Sequence, residues 1–161
     1  MAKEIGLDVS LPKNRDNLGW LTVAVDGATV YRFRVLGRGS ATVGGVSTHN
    51  PSHSPLLYAG NTPTGDYESP GIQSTGGDGW PKASYGPWGA VELKPVFGQA
   101  LAAERLGRHG LLIHGGAHGR FHGYGSTKGC LRLSNLDMKY LIELISREGK
   151  GAVVKVHVRE V

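Results

Sequence analysis

Two side chains in this sequence are suited to covalent catalysis, His114 and Cys130. They stand sixteen positions apart in the segment LLIHGGAHGRFHGYGSTKGCLR, Leu111 to Arg132. Cys130 is the only cysteine, so its thiol is left for packing, metal binding or nucleophilic attack. The residues around it favour attack. A cysteine attacks as the thiolate, and an imidazole that takes its proton supplies that form. Gly129 lets the backbone turn the N–H groups of Lys128, Gly129 and Cys130 inward, as an oxyanion hole requires. His114 and Cys130 are too far apart for local structure to join them, so the fold must do it, as in other Cys/His enzymes.

Three other readings start from the same residues. A free cysteine is most commonly a small buried hydrophobe. His114, His118 and His122 recur every four residues ahead of Cys130 and would share one helix face as a zinc site. Gly115, Gly116, Gly119 and Gly123 stand among them and oppose a helix. The third is a non-catalytic binding module.

His114-Gly115, a glycine-rich loop and then Thr127-x-Gly129-Cys130-Leu131-Arg132 resemble the signature of the L,D-transpeptidase catalytic domain of the YkuD type. That signature is a histidine followed some fifteen residues later by Ser/Thr-x-Gly-Cys-hydrophobic-Arg. Upstream, Asn61-Thr62-Pro63-Thr64-Gly65-Asp66-Tyr67 is similar to the family's T-P-x-G-x-aromatic segment. Lys128 stands where the family usually carries histidine, and this departure resembles a divergent branch that includes secreted bacterial toxins acting on peptidoglycan tetrapeptides.

The resemblance implies a mainly β fold, a β-sandwich of mixed sheets with the cysteine in a cleft at its edge. It implies cysteine-dependent L,D-transpeptidase or L,D-carboxypeptidase activity on peptidoglycan stem tetrapeptides, with no cofactor and no metal. An immunity protein is an implied partner if the chain is an effector. The Gly115 carbonyl would orient His114 through its other ring nitrogen, as the acid does in a triad. Lys128 and Gly129 would supply oxyanion amides. Thr127, Arg132 and Tyr67 are expected at the substrate, with Arg132 equally able to brace the loop.

The elements that must position these residues follow from patterning. Trp20–Val25 is a strand, Asp26-Gly27 a two-residue hairpin turn, and Thr29–Leu36 an alternating partner strand. Residues 37–47 hold a short strand broken by glycines. Pro63 and Gly65 suggest a turn or edge strand. Residues 69–90 form the longest irregular stretch; its Trp80, Tyr85 and Trp88 are candidates to flank a substrate, as long loops often do. Pro95–Arg105 reads as a helix ended by Gly107. Leu111-Leu112-Ile113 is a short buried strand that delivers His114 to its end. Ser134-x-x-Asp137 caps a helix over Asn135–Glu148, with Leu136, Tyr140, Leu141, Leu144 and Ile145 at core spacing. Ala152–Val158 closes the chain as a strand with Val154, Val156 and Val158 on one face. Two helices therefore flank the active segment.

A chain of 161 residues is expected to form one domain over 1–161 and can bury a real core. Its 26 glycines are more than twice the usual share and favour turns and strands. Lys+Arg 18 against Asp+Glu 13 gives a net charge of +5. That balance suits a basic surface attracted to an acidic polymer, but no cationic run or aromatic signature of a nucleic-acid binder is present. The first residues lack the apolar core of a signal peptide, and no apolar run reaches membrane-spanning length. Action in the periplasm or cell envelope would then need a dedicated secretion route or a leader outside these residues.

Overall fold

The computed structural model describes residues 2–75, 81–116 and 118–161. The chain begins with β1 (Ile5–Leu11), β2 (Gly19–Val25) and β3 (Ala28–Val35). In β1, Ile5, Leu7, Val9 and Leu11 are buried while Asp8 faces out, the period-two pattern of a half-covered sheet. Asp26 and Gly27, at φ of 49° and 83°, turn β2 into β3; two successive positive φ values are what a type I′ hairpin demands. The glycine-broken stretch makes a small hairpin, β4 (Thr42–Val43) and β5 (Val46–Ser47), around Gly44-Gly45.

Then come β6 (Gly65–Ser69), β7 (Ile72–Gln73), a single helical turn α1 (Lys82–Tyr85), β8 (Ala90–Glu92), β9 (Lys94–Phe97) and α2 (Gln99–Arg105). The site segment holds β10 (Leu112–His114), a hairpin of β11 (His118–Gly119) and β12 (Gly123–Tyr124), and β13 (Leu131–Arg132). The chain ends with α3 (Asn135–Leu144), a π-helical turn over Ile145–Gly149, and β14 (Val154–Glu160).

Six strands form one sheet in the order β3-β2-β1-β14-β6-β9, and four form a second in the order β13-β10-β8-β7. Both sheets are mixed: β1 with β14 and β10 with β13 are parallel, and the neighbouring pairs are antiparallel. One core lies between them. It joins Leu7, Val9, Leu21 and Val156 of the first sheet to Val91, Ile113 and Leu131 of the second, with Met138 and Leu141 of α3 and Ile145 of the π-helical turn. Among the described residues, no helix is long and apolar enough to cross a membrane.

Several sequence expectations are corrected here. The segment read as one helix from Pro95 is a strand first: Lys94–Phe97 pairs with β6, and Gly98 at φ 79° breaks the chain before α2. The proline is accommodated because β9 is the sheet edge, where a missing N–H removes no ladder bond that must be made. β6, expected at an edge, is paired on both sides by β14 and β9. The stretch 69–90 contains β7 and α1. On α3 and the π-helical turn that continues it the buried face is Met138, Leu141 and Ile145, while Leu136 and Tyr140 are exposed; Tyr140 stacks toward Tyr31 instead, 6.4 Å between ring centroids.

Ser134 caps α3 by accepting a hydrogen bond from the Asp137 N–H at 3.1 Å. Ser134→Ala removes that acceptor, and urea unfolding is expected to show a loss of about 1 kcal/mol. An unchanged midpoint would mean that water caps the helix equally well.

Candidate active site

The apolar run Leu112-Ile113-His114 is buried throughout because it is covered on both faces. Ile113 pairs with Leu131 and His114 with Arg132 across the parallel β10–β13 ladder. Ile113 and Leu131 enter the main core. Side-chain alternation therefore turns Leu112, His114, Cys130 and Arg132 to the opposite face of the small sheet. There Cys130 packs with Ala90, Leu112 and Tyr85. Cys130 stands level with Leu112, so His114 is two residue positions further along the ladder, a same-face diagonal of about 7–8 Å between backbone positions. Both line the same cleft, a cavity of about 650 Å³ bordered by Tyr85, Tyr58, Arg108 and Lys128.

His114 is 3% exposed. Its Nδ1 lies 2.6 Å from the Gly115 carbonyl oxygen. A carbonyl only accepts, so Nδ1 carries the proton and Nε2 is left as the basic nitrogen. The turn that brings the carbonyl back is held by two further bonds: Gly115 N–H to the Tyr85 carbonyl at 3.2 Å and Gly116 N–H to Asn135 Oδ1 at 2.8 Å. The Tyr85 ring packs on the imidazole, 4.8 Å between centroids. Burial lowers the His114 pKa to about 4, with Arg132 lowering it further and the Gly115 bond opposing.

That shift fixes a pH dependence. The unfolded histidine takes up a proton below about 6.5, the folded one only below about 4. Its contribution to stability is complete above pH 6.5 and disappears as pH falls from 6.5 through 4. Between those limits the wild type should lose about 3 kcal/mol more unfolding free energy than His114→Gln. Parallel curves for the two proteins in urea titrations would show that His114 is not held neutral by burial.

Cys130 is 7% exposed. Its Sγ accepts from the Leu112 N–H at 3.3 Å and faces the Gly110 carbonyl at 3.7 Å. No hydrogen bond joins Sγ to the imidazole among the described residues. Burial raises the thiol pKa, while the Leu112 N–H, Arg108, Arg132 and Lys128 pull it down. Desolvation acts most strongly on both members of the pair, so thiol and imidazole rest neutral.

The model of the L,D-transpeptidase catalytic domain (YkuD) matches residues 9–158. The chain belongs to the L,D-transpeptidase catalytic domain family. No curated protein matches it. Among solved structures it is similar to an L,D-transpeptidase from Mycobacterium smegmatis, at 17% identity and TM-score 0.47, over 98% of this chain and 59% of that one. It is also similar to Mycobacterium tuberculosis L,D-transpeptidase 1, at 14% and 0.46, over 98% and 63%. The LD transpeptidase LdtMt1 in complex with imipenem aligns at 15% and 0.50, over 98% and 59%. At such identities the likeness is one of fold. The chain spans about three-fifths of the length of these solved chains.

Within this L,D-transpeptidase domain, several expected site residues take structural roles. Thr127 borders the cleft, but its hydroxyl is committed to the nucleophile loop: it donates to the Cys130 carbonyl at 2.7 Å and accepts from the Gly129 N–H at 3.0 Å. The Gly129 amide is therefore engaged and not directed at an oxyanion. Arg132 is buried and braces, donating to the carbonyls of Gly125 at 3.0 Å and Ser84 at 2.9 Å. Tyr67 is not at the cleft. It is 1% exposed in the core, with its hydroxyl on the Pro63 carbonyl, because β6 is an inner strand. Trp88 is exposed beneath the Lys139 ammonium and does not line the cleft. Trp80 lies outside the described residues. Lys128 turns its side chain to solvent.

The zinc set does not assemble. His118 and His122 are exposed on the β11–β12 hairpin, bonded to the Gly123 carbonyl and Asn17. Among the described residues, no three metal-ligating groups converge. The glycines between the histidines make a hairpin where a helix would have aligned them.

Of the loop aromatics read as candidates to flank a substrate, Tyr85 lines the cleft; sequence reading missed Arg108, Asn135 and Thr62. Thr62 donates to the Gly129 carbonyl at 2.6 Å, so the upstream family segment meets the cysteine loop directly. That resemblance was the available signal. Arg108 had none, since a basic residue between two glycines in a turn reads as solvated surface.

Proposed function

We propose that this domain is a cysteine-dependent L,D-transpeptidase or L,D-carboxypeptidase acting on peptidoglycan stem tetrapeptides, with Cys130 as nucleophile and His114 as base. The observation that carries this reading is the single face of β10 and β13. It turns the only thiol and an Nδ1-protonated, Nε2-free histidine into one cleft in a chain of this family.

On substrate binding the thiol proton leaves the Gly110 carbonyl for His114 Nε2 as Sγ attacks the carbonyl carbon of the diaminopimelate residue, in its peptide bond to the terminal D-alanine. Attack coupled to proton transfer suits a neutral pair, since no exposed thiolate has to persist beforehand. The tetrahedral oxygen is held by the amides of Lys128 and Cys130 and by the field of Arg108 and Arg132. Collapse breaks the C–N bond; His114 returns the proton to the departing amine of D-alanine, and an acyl-thioester remains. His114 then deprotonates the acceptor. Water yields a tripeptide, and an amine yields exchange or a cross-link.

The test is mass spectrometry of the purified chain with disaccharide-tetrapeptide and, separately, with imipenem, the ligand of LdtMt1. Tripeptide, exchanged or dimeric products and a one-to-one adduct on Cys130 are expected. Unaltered tetrapeptide at stoichiometric enzyme would sink the proposal.

A further inference from the structure

Resting on the reading of Cys130 as nucleophile, we propose that Arg108 is its positioning residue: a buried guanidinium that ties the cysteine loop to the loop at 55–61 and supplies the positive charge facing the sulfur. Arg108 lies in the turn between α2 and β10, only 7% exposed. Nη1 donates to the carbonyls of Pro55 at 2.6 Å and Asn61 at 3.0 Å. Nη2 donates to those of Gly60 at 3.3 Å and Lys128 at 2.9 Å. Two loops without regular structure are thus gathered on one rigid fork, which a lysine cannot reproduce.

Gly129 is the other half of the device. It sits at φ 110°, and a Cβ there would overlap the Arg108 guanidinium. The residue before the nucleophile is glycine because an arginine passes against it.

Among the described residues, no carboxylate forms an ion pair with Arg108. A buried cation without a counter-ion is costly. The titratable groups that feel it are Tyr67 and Cys130. Tyr67 is held as a neutral phenol by burial, which leaves the sulfur and the oxyanion formed beside it as the anions this charge can serve. The other charged groups facing the thiol are Arg132 from β13 and Lys128 from its own loop; His114 from β10 is neutral near pH 7. Lys128 is exposed to solvent on its side of the loop, whereas Arg108 is buried beneath it.

The experiment measures Cys130 alkylation by iodoacetamide against pH, and acylation by imipenem, in the full chain carrying Arg108→Gln or Arg108→Lys. Circular dichroism establishes folding. Arg108→Gln should move the alkylation midpoint upward and slow alkylation at pH 7 at least tenfold. Arg108→Lys should keep the midpoint near wild type yet acylate at least tenfold more slowly, because the charge remains and the fork is lost. Folded variants within twofold of wild type in both readouts overturn the proposal. If Arg108→Gln does not fold, Arg108→Lys decides alone: slow acylation with a retained midpoint supports the role, and wild-type behaviour overturns it. A midpoint moved by Arg108→Gln, in a protein that imipenem does not acylate and that leaves tetrapeptide intact, sinks the transpeptidase reading and leaves the Arg108 assignment standing.

Discussion

Cys130→Ala is expected to abolish imipenem acylation and to lower tetrapeptide turnover by at least about 10³-fold, with His114→Gln falling to a similar level. The double variant should be hardly worse than either single one. Groups that act as a unit fail together, because removing either the sulfur or the base stops the same proton-coupled attack. Stability separates this from a packing role. Cys130→Ala loses two weak sulfur hydrogen bonds, to the Leu112 N–H and the Gly110 carbonyl, and a small volume beside Ala90 and Leu112, so unfolding should shift only modestly while activity vanishes. His114→Gln should still fold at pH 7, where the native imidazole is neutral. Single-variant losses that multiply in the double variant would mean that the two residues serve separate steps, and turnover by Cys130→Ala would place the nucleophile elsewhere.

Gly129→Ala should destabilise the protein by about 2–5 kcal/mol. About 1–3 of this comes from forcing a side chain into a glycine conformation and the rest from overpacking. At φ 110° an L-residue is strained, and the new methyl overlaps the Arg108 guanidinium and comes within 2.7 Å of the Gly60 carbonyl oxygen. Relief requires moving Arg108, which breaks its bonds to Gly60 and Lys128, or moving the loop that carries Cys130. Either way the cysteine shifts, so acylation should fall along with the melting temperature. Against a total stability of about 5–15 kcal/mol the loss is large. A Gly129→Ala protein with wild-type melting and acylation would show that the arginine and the loop separate freely. The comparison glycine is Gly27, in the exposed β2–β3 turn, where no atom lies within 4 Å of an added Cβ. Alanine there meets only backbone strain and should cost less and leave acylation unchanged.

Elements governed by local rules were legible before the structure was known. Asp26-Gly27 makes the turn it encodes, Ser134 caps the helix it precedes, and the valines of β14 face one way. The failures have a common origin. Pro95 looked like a helix start because first-turn and edge-strand positions both tolerate a missing N–H, and only pairing with β6 distinguishes them. Tyr67 looked like a cleft aromatic because its sequence neighbours approach the cysteine loop. It is β6 lying between β14 and β9 that sends its ring into the core. Leu136 and Tyr140 fit a helical stripe, but the stripe that is buried depends on how α3 sits against the sheets.

Taken alone, the residues determined the chemistry available: one thiol, one histidine at the end of an apolar strand, and a glycine where the chain must bend. Those are properties of side chains and spacing. The protonation states, and the company each group keeps, belong to the tertiary structure. Neutral thiol and imidazole follow from burial on the far face of the small sheet, and the guanidinium beneath Gly129 arrives from a turn 21 residues earlier. Desolvation and long-range contact depend on what the folded chain brings alongside, and no local pattern encodes that.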